Sequence, residues 1–287
     1  MSDNTRGAIL MVASMAAFVV SDSFMKALAD ELPLFQAIFL RGLGVSVVFL
    51  ALAWRFGALR LPAVPDRRLI GWRVLAECAA AGFFMTALFN MPLANATAIL
   101  QSLPLAMTAA GAVFLGEKVG IRRSSAVAIG FFGVLLIVRP GAEGFTVYSL
   151  SALAAVVAVT LRDVVTRKLS AGVPSLLVAF VTAVGVTVFG GLASVAFDWV
   201  TPSPRAVAML AGTSAALILG YLFSVQTMRL GEVSVVSPFR YTSLVWALLL
   251  GYLVFGDWPD GLTLVGVAII VAAGSFTLWR TGRKAQT

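Results

Sequence analysis

Residues Thr97 to Lys118, TAILQSLPLAMTAAGAVFLGEK, form an apolar run of membrane-crossing length, interrupted by Pro104 and closing on Gly116-Glu117. A second such run, SPFRYTSLVWALLLGYLVFGDW, occupies Ser237 to Trp258 and closes on Gly256-Asp257. A constant shift of 140 places Thr97 on Ser237, Ser102 on Thr242 and Glu117 on Asp257. A chain that carries one membrane-length unit twice is restricted to internally repeated, membrane-embedded architectures.

Composition points the same way. Of 287 residues, 60% are hydrophobic and 12% charged, whereas a soluble domain carries about 25% charge. The chain therefore reads as an integral membrane protein. A net charge of +8 would suggest nucleic acid in a soluble domain. The basic excess of cytoplasmic loops accounts for it here, and no nucleic-acid partner is expected. Cys78 is the single cysteine, which removes intrachain disulfides and thiolate clusters. Histidine is absent, which removes Ser-His-Asp catalysis, histidine metal sites and histidine proton relays. No catalytic residue, metal or cofactor is assigned. The first apolar run, from Gly7, superficially resembles a signal peptide, but it has an internal twin and so belongs to the fold.

Uncharged runs, turn residues and charge clusters give ten candidate spans, near 7–28, 33–54, 70–90, 94–115, 121–138, 147–168, 174–197, 205–228, 233–255 and 261–279. Asn90, Pro92 and Asn95 mark the turn between the third and fourth. With the N-terminus inside, 15 of the 21 lysines and arginines fall in inner segments and only Lys26, Arg139 and Arg205 at outer ends. That asymmetry predicts both termini in the cytoplasm. The expected location is a bacterial-type inner membrane, with the lipid bilayer as surroundings and a monomer sufficient.

The repeat extends beyond the two runs. A shift of 141 sets Asp22 on Asp163, Lys26 on Arg167, Pro33 on Pro174 and Gly44 on Gly185; shifts of 137 and 136 set Met91 on Met228 and Gly130 on Gly266. Apolar matches are cheap in such a sequence, but aspartates, prolines and glycines in register are not. The expected organisation is one unit over 1–140 and a second over 141–287, in an all-α membrane fold. Five spans is an odd number, so the two units are expected to be inverted around a central cavity, as in secondary transporters.

The residues Pro104, Leu115-Gly116-Glu117, Gly130-x2-Gly133-Val134 and Arg139-Pro140, with Pro238 to Ser243, Gly256-Asp257 and Gly266 in the second half, resemble the drug/metabolite transporter superfamily, specifically the EamA-type permeases. The resemblance covers nearly the whole chain. It implies ten helices, cytoplasmic termini, a central cavity and alternating access. Closest in kind are the aromatic amino-acid exporters, and related members carry nucleotide-like metabolites. The second half departs from the pattern by having Leu244 where Pro104 sits, with Pro238 available to break the helix instead.

Ionisable residues inside a span default to functional candidates. Asp22, Arg41, Glu77, Asp163 and Arg240 qualify. Asp22 with Lys26, and Asp163 with Arg167, are four apart and predict either locally neutralised pairs or a pair of gates. Arg240 and Arg41 could hold a substrate carboxylate or be structural, and Glu77 could couple protons. Phe18, Phe84, Tyr221 and Trp246 lie mid-span and could line an apolar cavity with Gln101, Ser237 and Tyr241 as polar anchors, or simply pack.

The function this predicts is secondary export of small amphipathic metabolites, foremost amino acids including aromatic ones. The alternative is a carrier of nucleotide-like or cofactor-like metabolites or cationic drugs. No Walker motif is present, so ATP is not the direct driver. An intramembrane enzyme would need a metal or nucleophile cluster, and a channel would need a selectivity ring; neither is visible.

Overall fold

A computed structural model describes residues 3–114, 116, 120–139, 146–230 and 233–285, and among these every regular element is helical. They are α1 (Asp3–Ala27), α2 (Leu34–Arg55), α3 (Val64–Asn90), α4 (Leu93–Leu100), α5 (Leu103–Phe114), α6 (Ile121–Val138), α7 (Val147–Thr166), α8 (Ser175–Ser194), α9 (Pro204–Leu230), α10 (Val233–Val236), α11 (Thr242–Phe255) and α12 (Gly261–Ala285). Eight stretches are long and apolar enough to cross a membrane, and α6 and α12 add shorter apolar runs, Ser124–Val138 and Gly261–Phe276. Trp54, Trp199 and Trp258, at or just beyond helix ends, and Trp72, about two turns into α3, are exposed as interfacial anchors should be.

Two of the ten spans are broken, and proline chemistry explains both. In the fourth, α4 ends at Leu100, a turn holds Gln101 and Ser102, and α5 starts at Leu103. Pro104 has no N–H to continue the ladder back to Leu100, so the bonding lapses there and resumes from the Ser102 carbonyl, which accepts from Leu105 and Ala106 at 3.0 Å. In the ninth, Pro238 sits at the start of a 3-10 turn, Ser237–Tyr241, between α10 and α11. Leu244 therefore does not leave the second copy unbroken; the break is supplied six residues earlier. Of the terminal Leu115-Gly116-Glu117 motif, Leu115 and Glu117 lie outside the described residues.

The dominant packings are α1 on α9, α3 on α7, α2 on α8 and α6 on α12. A two-fold relation between the repeats carries the first pair onto the second and each of the last two onto itself. Residues equivalent in the repeat accordingly touch: Ser46 and Thr187, 141 apart, share a 3.0 Å hydrogen bond. Near the same axis the breaks meet, where Gln101 Nε2 donates to Ser243 Oγ at 2.5 Å.

The core is lopsided along the bundle axis. Its buried apolar cluster includes Met25, Leu28, Leu32, Leu88, Met91, Leu93, Ile99, Val138, Ala206 and Leu244, all in the half nearer Arg139 and Asp260. Polar ties close that end. Lys26 Nζ donates to the Met91 carbonyl at 2.8 Å and lies over the Phe255 ring. Gln36 bonds both ways to Val200, and Glu31 takes a bond from Ser203 beside Arg205. Arg139 pairs with Asp260.

The Asp260 carboxyl is held below the usual carboxylate range by the Thr263 N–H, which bonds it at 2.8 Å, and then by Arg139. A depressed folded value contributes stability that is present above the unfolded value and lost as pH falls through the folded one. The melting-temperature difference between the protein and Asp260→Asn is therefore expected to be small, constant from about pH 7 to 5, and to shrink only as pH falls through the depressed folded value.

Candidate functional site

The opposite half of the bundle holds a second set of charges, deeper within the spans. Arg162 on α7 is the hub: its NH1 donates to Glu77 Oε2 on α3 at 2.9 Å and its Nε to Asp163 Oδ1 at 2.8 Å. Arg73, one turn before Glu77, donates to Thr166 Oγ1 at 3.0 Å and to Thr182. Arg41 on α2 is buried and within electrostatic reach of Asp22 and Glu77, with no direct ion pair to either. Asp22 faces Arg41, and the expected Asp22–Lys26 pair does not form. Lys26 instead caps carbonyls at the end of α3, where the helix dipole is negative.

Arg240 differs from the other three arginines. It sits on the 3-10 turn of the ninth span, inside the bundle and within reach of Asp163 and Arg162, yet its side chain is exposed. Among the described residues its guanidinium makes no hydrogen bond or ion pair. Asp163 keeps 38% of its side-chain surface accessible, so one of its oxygens remains available. A guanidinium fork and a partly accessible carboxylate thus stand within electrostatic reach of each other, away from the main apolar cluster. Such a pair suits a zwitterion, a carboxylate at the fork and an ammonium at the aspartate.

Most of the aromatic candidates pack. Phe18 lies against Gly220, where a Cβ would come within 2.8 Å of the ring. Phe84 is buried in the core, and Tyr221 stacks edge-on against Phe49 at 5.1 Å. Tyr241 is buried with its ring on Gly274, and Trp246 packs on the core from α11. Gln101 is tied to Ser243, and the side chain of Ser237 lies outside the described residues.

From sequence Arg162 counts only as a charge near the end of a span and Arg73 as an inner-segment charge, with no site role for either, and the repeat explains why. In register, Arg162 falls on Ser21 and Glu77 on Ser214, while Arg41 falls on Thr182. On the α1–α9 side, Ser21 bonds Thr213, the residue before Ser214, at 2.9 Å, next to the place where the α7–α3 side has its Arg162–Glu77 ion pair. The same helix–helix packing is thus bridged by hydroxyls in one copy and by opposite charges in the other. Charges present in only one copy were the available signal.

The model of the EamA-like transporter family matches this chain twice, over residues 5–139 and 146–279. A riboflavin transporter of Vibrio cholerae is 31% identical over 75% of this chain and 74% of its own. An S-adenosylmethionine uptake transporter of Rickettsia bellii is 29% identical over 66% of this chain, a match that spans only 64% of that protein. A pseudopaline exporter of Pseudomonas aeruginosa is 25% identical over 93% of this chain and 94% of its own. A solved structure with 20% identity superposes with a TM-score of 0.68 over 99% of both chains, which supports the fold.

Proposed function

The chain belongs to the EamA-like transporter family, and we propose that within it this protein is a secondary carrier of metabolites joining an α-amino carboxylate to an uncharged ring system. S-adenosylmethionine is the model substrate. The observation that carries this reading is the unpaired, accessible Arg240 beside the half-free Asp163. Relatives that carry S-adenosylmethionine and riboflavin favour cofactor-like substrates over simple amino acids. Export of aromatic amino acids has no counterpart among the relatives named here. Phenylalanine shares the zwitterionic head, however, and is expected to compete.

The basic bias of the loops supports a topology with both termini in the cytoplasm. On that placement the packed, latched half faces outward and the charged, accessible half inward. The conformer then loads and unloads from the cytoplasmic side, and alternating access requires the Lys26, Glu31 and Arg139 ties to part.

Purified protein in liposomes tests the reading. Labelled S-adenosylmethionine should move saturably, with excess phenylalanine inhibiting and riboflavin, which lacks the zwitterionic head, inhibiting weakly. Movement of riboflavin alone, or of neither, would overturn the zwitterion assignment.

A further inference from the structure

Among the described residues, four buried side-chain polar atoms lack any hydrogen-bond partner: Asn95 Oδ1, Thr97 Oγ1, Tyr241 OH and Trp246 Nε1. All four lie on the two broken spans, on α4 or on the turn and helix of the ninth. Buried polar groups are normally satisfied, because an unmade bond costs free energy and the hydrocarbon interior offers no water. Thr97 and Tyr241 are 4% and 5% exposed, so solvent at the surface does not explain them. Partners absent from the closed half of the bundle point to partners acquired during transport.

The topology places two of these residues at one level of the packed helices α4 and α11. Lys26 ties Met91, just before α4, and lies over Phe255, at the end of α11, so these helices run in opposite directions from one end. They meet where Gln101 bonds Ser243. Thr97 precedes Gln101 by four residues and Trp246 follows Ser243 by three. Each therefore sits one helical turn from that bond, and both lie on its side towards the packed end. Trp246 is also six residues beyond Arg240, a rise of roughly 9 Å along the helix.

We propose that Thr97 and Trp246 form a second substrate station, on the release side of the helix breaks, for the uncharged acceptor-bearing body of the substrate. The proposal rests on the carrier reading above and assigns the other half of the molecule. An indole N–H and a hydroxyl offer donors and no fixed charge, which suits a carbonyl or ring nitrogen rather than an ion. The charged head is read at Arg240 and Asp163. The ring system is read at Thr97 and Trp246 when the closed end opens, and the two stations are spaced for a substrate of two parts.

Thr97→Val, Thr97→Ser and Trp246→Phe test this in the intact carrier. Valine keeps the shape of threonine and removes the orphaned hydroxyl, so the substrate-free Thr97→Val protein should melt no lower than the parent. In liposomes its S-adenosylmethionine flux should fall roughly tenfold, and Trp246→Phe should do likewise. Thr97→Ser should recover most of the flux. Phenylalanine, whose side chain bears no acceptor, should be little affected as a competitor. Unchanged flux in Thr97→Val and Trp246→Phe would overturn the station. So would melting of Thr97→Val several degrees below the parent, which would show a structural partner for the hydroxyl. If S-adenosylmethionine neither binds nor moves in the parent, the substrate reading fails instead, and the melting comparison alone judges the orphaned hydroxyl.

Discussion

Arg240→Gln is expected to leave the protein folded and to cut its transport of S-adenosylmethionine by one to two orders of magnitude. The two halves of that expectation have separate causes. Folding survives because no acid among the described residues depends on Arg240. Asp163 and Glu77 keep their direct bonds to Arg162, at 2.8 and 2.9 Å, after the change, and Glu77 keeps Arg41 and Arg73 nearby as well. Transport falls because a hydrogen bond between charged groups contributes about 1.5–3 kcal/mol, which is roughly a 10- to 100-fold change in affinity. Arg240→Lys keeps the charge but loses the planar fork, and should fall between the two. Arg162→Gln is the contrast. It strands two carboxylates in the bundle and should lower the melting temperature, because removing one member of a buried pair costs about 3–5 kcal/mol. That figure is an upper bound here, since about a quarter of each of the Arg162 and Glu77 side chains remains accessible. A normal transport rate in Arg240→Gln would return Arg240 to a structural role.

The repeat, the span positions and the broken fourth helix were legible in the sequence because they rest on strong local signals. Long apolar runs, prolines and in-register aspartates and glycines are unambiguous in a chain with 12% charge. The fate of individual charges was not legible. Spacing of four put Asp22 beside Lys26, but the ammonium does better at the end of α3, where it meets carbonyls and the Phe255 ring. The mid-span aromatics were equally ambiguous. Phe18 and Tyr221 pack on Gly220 and Phe49, contacts that depend on which helices become neighbours. The asymmetry between copies is the feature that separates scaffold from site. Ser46 with Thr187 preserves the two-fold relation, while Arg162 with Glu77, set against Ser21 with Thr213, breaks it. Scaffold needs matched halves, whereas a single substrate needs them to differ.

Gly266→Ala, the addition of one methyl group, is expected to disrupt folding. A Cβ at Gly266 would stand 2.6 Å from the Gly133 carbonyl oxygen and 2.7 Å from Ile137, and one at Gly133 would stand 2.9 Å from the Gly266 oxygen. A backbone oxygen has no rotamer to escape into, so α6 and α12 must separate. In lipid no hydrophobic force draws them together again, and close van der Waals contact between small residues is what holds such a pair. Overpacking of this kind costs about 1–3 kcal/mol per site. Gly133→Ala with Gly266→Ala should therefore lower the melting temperature of the detergent-purified protein by several degrees and reduce the recovered monodisperse fraction. Gly71→Ala provides the comparison, because a Cβ there meets nothing within 4 Å. On an exposed helical position it should be neutral or slightly stabilising. If both glycine sets behaved alike, the α6–α12 contact would not be the close backbone approach that joins the two repeats.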